Sequence, residues 1–349
     1  MTRSHPLRAG VIGLGYGAEV HLPVLMGMPD VEVVGIASRD AEKARATADA
    51  AGVSQAFGHS DELLGLDLDL VTLALPPMVN ERVAEQALGR DLAVLSEKPI
   101  ASTAEAARKL AELSIGKTTG VGFQFIELRT FQALKKVIGD EKLGRLRGVR
   151  VDWLTNSRAN RDQSWSWKTD AGRNGGILTS MGAHVLFLVE WLFGRIGRVE
   201  ASLDSSSSSR FAPAGDTAAA DSATLALHAE AAPVRVAISN ASSGPLGHRW
   251  TMDFEEGTAT LEEVRPIYLA GLRLTVKGKG DAEVFEEAPE STDGRQAPFR
   301  ALAERFVQAT SVGAEVWPNF HDGARVQTLI DRVVESARRG EAVAVGSER

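Results

Sequence analysis

The sequence predicts two folded parts of different class: an α/β doubly wound parallel sheet, then an α+β part with a large, mostly antiparallel open sheet. Three observations carry this. Short apolar runs alternate with helix-length segments up to about residue 123. A glycine-rich turn, Gly13-Leu14-Gly15-Tyr16-Gly17-Ala18, separates the first run from the first helix. From Val199 to Val276, strand-like runs follow one another with only turns between them.

The chain has 349 residues, 44% of them hydrophobic, enough for about two cored domains. Its net charge of −7 argues against a nucleic-acid surface. There is no cysteine, which excludes a disulfide framework and thiolate metal sites, and no metal is expected. No apolar run is read as membrane-spanning and no signal-peptide layout opens the chain, so a cytoplasmic setting is the default expectation.

In chain order, a strand over 8–14 enters the glycine turn and a helix follows from Ala18 to Met26. Strand, glycine turn and helix stand in the order a dinucleotide site needs, with a purely structural turn as the alternative: one Gly permits the turn, a second lets backbone N–H groups approach a pyrophosphate, and a third small residue, here Ala18, packs helix on strand. The next strand, Val31–Ala37, ends at Ser38-Arg39-Asp40. A hydroxyl and a guanidinium suit a 2′-phosphate, so NADP is expected, with Asp40 leaving NAD open. Strands follow at Ala56–Phe57 and at Leu70–Leu75, the latter running into Pro76-Pro77 with a helix from Asn80. Then comes Leu92–Leu95, which leads into Glu97-Lys98-Pro99 at the carboxyl end, where open α/β sheets bind ligands. A helix over Thr103–Leu113 and a strand over Thr118–Phe123 complete this part.

After Gln124 come a helix, Glu127–Ile138, and a strand, Arg147–Thr155. A stretch with Arg158, Arg161, Trp165, Trp167, Lys168 and Asp170 could bind a polyhydroxylated ligand or cap a sheet edge. Gly175-Gly176 opens a helix, Ile177–Leu192, with Ser180 and His184 four residues apart on one face. A serine tract, Ser205–Ser209, is expected as a mobile loop. Strands are expected at Ser222–His228, Pro233–Asn240, Arg249–Glu255, Gly257–Leu261 and Ile267–Val276, then helices at Pro298–Ser311 and His321–Arg339.

These pieces resemble the Gfo/Idh/MocA oxidoreductases along nearly the whole chain. The resemblance is carried by Gly13-Leu14-Gly15, His21-Leu22-Pro23, Pro76-Pro77 and Glu97-Lys98-Pro99, then Gly175-Gly176…Gly182-Ala183-His184 and Asp322-Gly323-Ala324-Arg325-Val326. It implies a Rossmann domain over 1–121, onto which the helix 321–339 packs back, and a substrate and oligomerisation domain over 122–320. It implies hydride transfer between NAD(P) and a sugar, inositol or sugar nucleotide, in a homodimer or homotetramer. Lys98 and His184 are the catalytic candidates. Cofactor contacts are expected from Gly13, Leu14, Gly15, Tyr16, Gly17, Ala18, Ser38, Arg39, Leu75, Pro76, Asn80, Glu97, Lys98 and Gln124. Substrate contacts are expected from Lys98, Trp165, Trp167, Lys168, Ser180 and His184. The chain departs from the family pattern where Ser180 and Phe187 stand in place of carboxylates and Gln124 in place of asparagine.

In this reading Lys98 moves the proton, its amine brought down from ~10.4 by burial and by the oxidised nicotinamide. His184 shares the proton or holds the reacting hydroxyl. Two alternatives stand beside it: a catalytically quiet NAD(P)-sensing regulator and an NAD-dependent glycosidase on the same fold.

Overall fold

The computed structural model describes residues 5–140, 142–244, 246–265, 269–287 and 294–346. The chain forms two compact units, Met1–Gln124 with Arg295–Gln327, and Phe125–Gly294 with Thr328–Arg349.

The first unit holds a six-stranded parallel sheet: β1 (Leu7–Ile12), β2 (Val31–Ala37), β3 (Gln55–Phe57), β4 (Leu70–Leu73), β5 (Ala93–Ser96) and β6 (Thr119–Val121). The spatial order is β3-β2-β1-β4-β5-β6, which reverses direction between β1 and β4. β4 and β5 are buried at every residue, as strands covered on both faces must be. The crossovers are the helices α1 (Leu22–Met26), α2 (Ala41–Ala51), α3 (Ser60–Leu64), α4 (Pro77–Leu88) and α5 (Ala104–Leu113). Asp40 caps α2 by accepting from the Lys43 N–H, and Thr103 caps α5 by accepting from Ala106. α4 starts at Pro77 rather than near Asn80; proline is preset for a first helical turn and its missing N–H costs nothing there.

The second unit is built on a nine-stranded sheet: β7 (Leu146–Leu154), β8 (Ile196–Asp204), β9 (Ser222–Ala229), β10 (Pro233–Ser239), β11 (Gly247–Phe254), β12 (Thr258–Glu263), β13 (Leu272–Lys277), β14 (Glu283–Glu286) and β15 (Val343–Ala344). Its order is β14-β13-β12-β11-β7-β10-β9-β8-β15. Only β7 and β10 pair in parallel among the described strands. The start of the expected strand Ile267–Val276 lies outside the described residues; the strand itself begins at Leu272. α6 (Arg129–Gly139) packs on β12, β13 and β14, and α8 (Ala183–Phe193) on β9. A one-turn helix α7 (Arg158–Arg161) follows β7. Along β11, His248, Trp250, Met252 and Phe254 are buried while Arg249 and Asp253 are exposed, the period of a half-covered sheet.

Three local expectations are corrected. α9 (Gln296–Val312) was expected in the second domain, yet Phe299, Leu302, Ala303 and Phe306 are buried in one core with β1, β2 and β5 of the first unit. The final helix, α10 (Phe320–Arg339), is divided between the units at Gln327. The serine tract is not a featureless loop: Asp221, 2% exposed, accepts from the Ser208 N–H at 2.8 Å, and a 3-10 turn follows over Ser208–Phe211. The helical stretch Ala171–Phe193 is long and apolar enough to cross a membrane, but 78% of its most apolar window is buried in the protein, as in a core helix.

The burial of α9 gives a direct test. Phe306→Ala removes a fully buried ring, and the expected loss is about 3–5 kcal/mol in chemical denaturation, with NAD(P)H affinity per folded molecule retained.

Candidate active site

In the first unit the site is built at the carboxyl end of the parallel sheet. β1 ends at Ile12, and Gly13 turns the chain at φ +96°. A Cβ on Gly13 would lie 2.3 Å from the Ala74 carbonyl oxygen, so only glycine fits. Gly15 is exposed and a Cβ there would meet nothing within 4 Å. The backbone is therefore open to a ligand where a pyrophosphate is expected. The helix begins with a π turn, Gly17–His21, rather than at Ala18. Gly17 makes the close helix–strand approach, its added Cβ meeting Ala74 at 3.3 Å, while Ala18 is half-buried. Leu14 is buried and Tyr16 half-buried. The Gln124 side-chain amide donates to the Tyr16 hydroxyl at 3.0 Å, and the Arg295 guanidinium lies 5.5 Å from the Tyr16 ring centre.

β2 ends at Ala37. Ser38 is half-buried and its Oγ accepts from the Asp40 N–H at 3.3 Å. Arg39 is exposed, with no hydrogen-bond or ion-pair partner among the described residues. After β4, Leu75 and Pro76 are half-buried beside the glycine turn, with Leu75 3.1 Å from a Cβ built on Gly13.

β5 delivers Glu97 and Lys98, and Lys98-Pro99 is a cis peptide. This corner is fixed from behind. Asn80, fully buried in α4, donates through Nδ2 to Ser96 Oγ and to the Ile100 carbonyl, each at 2.8 Å. Ser96 Oγ donates to the Glu97 carbonyl, and Glu81 accepts from the Ser102 N–H and hydroxyl. Asn80 was expected as a cofactor contact; the structure commits its Nδ2 to the loop and leaves Oδ1 buried without a protein partner among the described residues. Gln124 Oε1 and His21 Nδ1 are in the same state. Open backbone at Gly15, a close-packed turn at Gly13 and spare buried acceptors at the sheet's carboxyl end fit a dinucleotide.

In the second unit, Gly175 and Gly176 fold the 165–170 stretch against the start of the helix. A Cβ on Gly175 would sit 2.2 Å from the Trp167 carbonyl oxygen, and Gly176 has φ +104°. The Gly176 N–H donates to the Lys168 carbonyl and the Ile177 N–H to that of Ala220. Trp165 and Trp167 are half-buried and Lys168 exposed. Trp165 meets Phe211, from the turn after the serine tract, edge-on at 6.4 Å. A π turn, Leu178–Gly182, precedes α8. Ser180 is exposed, while His184 is 4% exposed in the core. The Ser180 hydroxyl donates back to Gly176. Phe125 packs on His184 at 4.7 Å, and Trp153 lies 6.4 Å away. Phe187, where the family pattern has a carboxylate, is buried.

Sequence reasoning missed two neighbours of these groups. His248 stacks on Trp153 at 4.3 Å and accepts from Trp250 Nε1 at 2.7 Å. Its alternation with Trp250 and Met252 on β11 was the available signal. His21 stacks on Phe299 at 4.2 Å and lies 3.4 Å from Glu97 Oε1; it was noted only within His21-Leu22-Pro23.

Two family models match the chain: the oxidoreductase NAD-binding Rossmann fold over residues 7–123, and the oxidoreductase C-terminal alpha/beta domain over residues 135–345. The chain belongs to the Gfo/Idh/MocA family. It is an NAD(P)-dependent oxidoreductase. An uncharacterized oxidoreductase of Synechocystis, sll0816, is 28% identical, covering 99% of this chain and 98% of that one. D-apiose dehydrogenase of Paraburkholderia graminis is 22% identical, covering 97% and 90% respectively. Glucose-6-phosphate 3-dehydrogenase of Bacillus subtilis is 29% identical over 53% of each chain. Among solved structures, levoglucosan dehydrogenase in complex with NADH and levoglucosan superposes with a TM-score of 0.87 at 21% identity, covering 98% of this chain and all of that one, a likeness of fold.

Burial pushes the His248 imidazole down to about 3. The unfolded histidine titrates near ~6.5, so between these values the unfolded state binds the extra proton and stability falls with falling pH. The contribution is complete above about pH 6.5 and is lost towards pH 3, up to about 5 kcal/mol. His248→Gln keeps an acceptor for Trp250 without titrating. Denaturation curves from pH 7 to 4 are expected to be flatter for the variant than for the parent.

Proposed function

We propose that the enzyme interconverts an alcohol and a ketone on a sugar, inositol or sugar-nucleotide substrate, with NADP(H) as the preferred cofactor. The observation that carries the proposal is Lys98 on a fixed corner at the carboxyl end of β5, in the same parallel sheet as the glycine turn after β1. The dehydrogenases named above support the sugar part of that substrate class by relationship. A dinucleotide held at the glycine turn would supply the hydride acceptor or donor. Lys98 takes the hydroxyl proton in oxidation; in reduction its ammonium stabilises the developing alkoxide and returns the proton. His184 holds or shares that proton. Trp165 and Trp167 offer flat apolar faces and Lys168 a cation for the rest of the substrate.

Lys98→Met is expected to keep cofactor affinity and melting temperature while lowering turnover roughly 100- to 10,000-fold. His184→Ala is also expected to lower turnover, and the double variant to lose less than the product of the two. An active but less stable Lys98→Met would make Lys98 a structural residue. A screen of sugars, inositols and nucleotide sugars with NADP identifies the substrate. Turnover of any polyol removes the regulator alternative, and net reduction of the cofactor removes the glycosidase.

Support for NADP comes from the end of β2. Asp40 already caps α2, whereas the exposed Arg39 guanidinium can pair with a 2′-phosphate. NADP(H) is expected to bind about ten-fold more tightly than NAD(H) in fluorescence titration. Arg39→Ala is expected to remove that difference; equal affinities in the parent make this an NAD enzyme.

Self-association through the outer face of the nine-stranded sheet is part of the same reading. That face is not apolar: it carries Arg150 paired with Asp152, and Arg249 with Glu262. An interface there joins polar groups, so light scattering is expected to show a homodimer or homotetramer at low salt and partial dissociation as salt screens the charges.

A further inference from the structure

The mechanism above leaves one fully buried titratable side chain without a role. His21 has no exposed surface, and it ends the π turn Gly17–His21. The described residues contain one other π turn, Leu178–Gly182, and it leads directly into the helix that carries His184. Single π turns gather at functional sites because the extra residue re-aims side chains that an α-helix would place elsewhere.

We propose that His21 is a positioning residue that locks the Glu97 carboxylate, and so fixes the nicotinamide end of the cofactor site. The imidazole is held flat against Phe299, with centroids 4.2 Å apart and planes 9° apart, and the Tyr16 ring meets its edge at 5.6 Å. In that clamp Nε2 is directed at Glu97 Oε1, 3.4 Å away, and its N–H donates to the carboxylate. Gly122 also packs on this carboxylate: a Cβ there would lie 2.7 Å from the same Oε1. The Glu97 carboxylate is therefore in contact with both an imidazole and bare backbone. Its own N–H donates to the Leu73 carbonyl, which ties the residue to β4 as well.

The strand order says which end of the cofactor this affects. β2, with Ser38 and Arg39, lies on one side of β1, and β4 and β5 lie on the other. A dinucleotide crossing the switch point puts its adenosine towards β2 and its nicotinamide towards β4 and β5. A loosened Glu97 should thus weaken the nicotinamide half alone. The inference rests on the dehydrogenase reading, and the experiment separates the two. Binding is measured by fluorescence and calorimetry for NAD(P)H and for ADP-ribose or its 2′-phosphate, which lacks nicotinamide.

If the parent binds neither ligand, the dehydrogenase reading falls and the inference with it. With a binding parent, His21→Phe keeps a flat ring on Phe299 but has no N–H. It should bind NAD(P)H about ten-fold more weakly, the usual weight of a hydrogen bond to a charged group, and bind the nicotinamide-free fragment as the parent does. His21→Gln, which returns an N–H donor, should recover most of the loss. Gly122→Ala reaches the same carboxylate and should give the same selective loss, which carries the test if His21→Phe does not fold. Equal losses for both ligands, or parental affinity for NAD(P)H in the variants that fold, overturn the proposal and leave His21 a packing residue.

Discussion

The place of Lys98 depends on a buried amide. Asn80 sits one turn into α4 with no exposed surface, and its Nδ2 bridges Ser96 at the end of β5 and Ile100 beyond the cis peptide. Those two bonds span Glu97 and Lys98, the residues proposed to serve the reaction. A strand end followed by proline has few ladder bonds to hold it, because proline donates none and the sheet stops there. Without Asn80 the segment would keep the Glu97 N–H bond to the Leu73 carbonyl but lose the side-chain tie that reaches past its proline to Ile100. The start of α4 matters for the same reason. Were Asn80 the residue just before the first helical turn, its side chain would be drawn to cap its own helix. Beginning at Pro77 moves it past the cap and turns it into the core.

The second unit solves its positioning problem with rings. His184 lies against Phe125, and Phe125 also meets Trp153 and Phe131. Trp153 stacks on His248, whose Nε2 accepts from Trp250. That bond requires the His248 proton on Nδ1 and the ring neutral, in keeping with its depressed protonation. Aromatic contacts give direction without adding charge, and the cluster helps to orient His184 in this way. A carboxylate at Phe187, as in the family pattern, would have added a charge beside it.

Most strand positions were legible because a buried strand announces itself by composition. Val31–Ala37 was read to the residue, and β5 to within one. Corners were legible where a residue type is forced, as at Gly13 and Gly175-Gly176. What stayed hidden depends on long-range packing or on winding. α9 follows the whole second sheet in sequence yet fills the first core, and its own amphipathic pattern cannot say which core it will meet. The two π turns leave no compositional trace, so the helix starts at Gly17–His21 and Leu178–Gly182 are not legible in the sequence. The serine tract looked mobile because its anchor, Asp221, lies 13 residues downstream of Ser208.

The same geometry bears on whether this scaffold still works as an enzyme. His21 Nδ1, Asn80 Oδ1 and Gln124 Oε1 are buried polar atoms with no protein partner among the described residues. Each such group costs about 1–3 kcal/mol unless something completes it. Asn80 and His21 each make a second contact to the corner on which Glu97 and Lys98 stand, and Gln124 makes one to Tyr16 in the glycine turn. Cofactor sensing alone would account for polar groups around the glycine turn. It gives no reason to fix a lysine at the carboxyl end of β5 through a buried amide, since adenosine and pyrophosphate are expected at β1 and β2. The proposed catalytic role supplies that reason, because a lysine held there would have to meet a reacting atom.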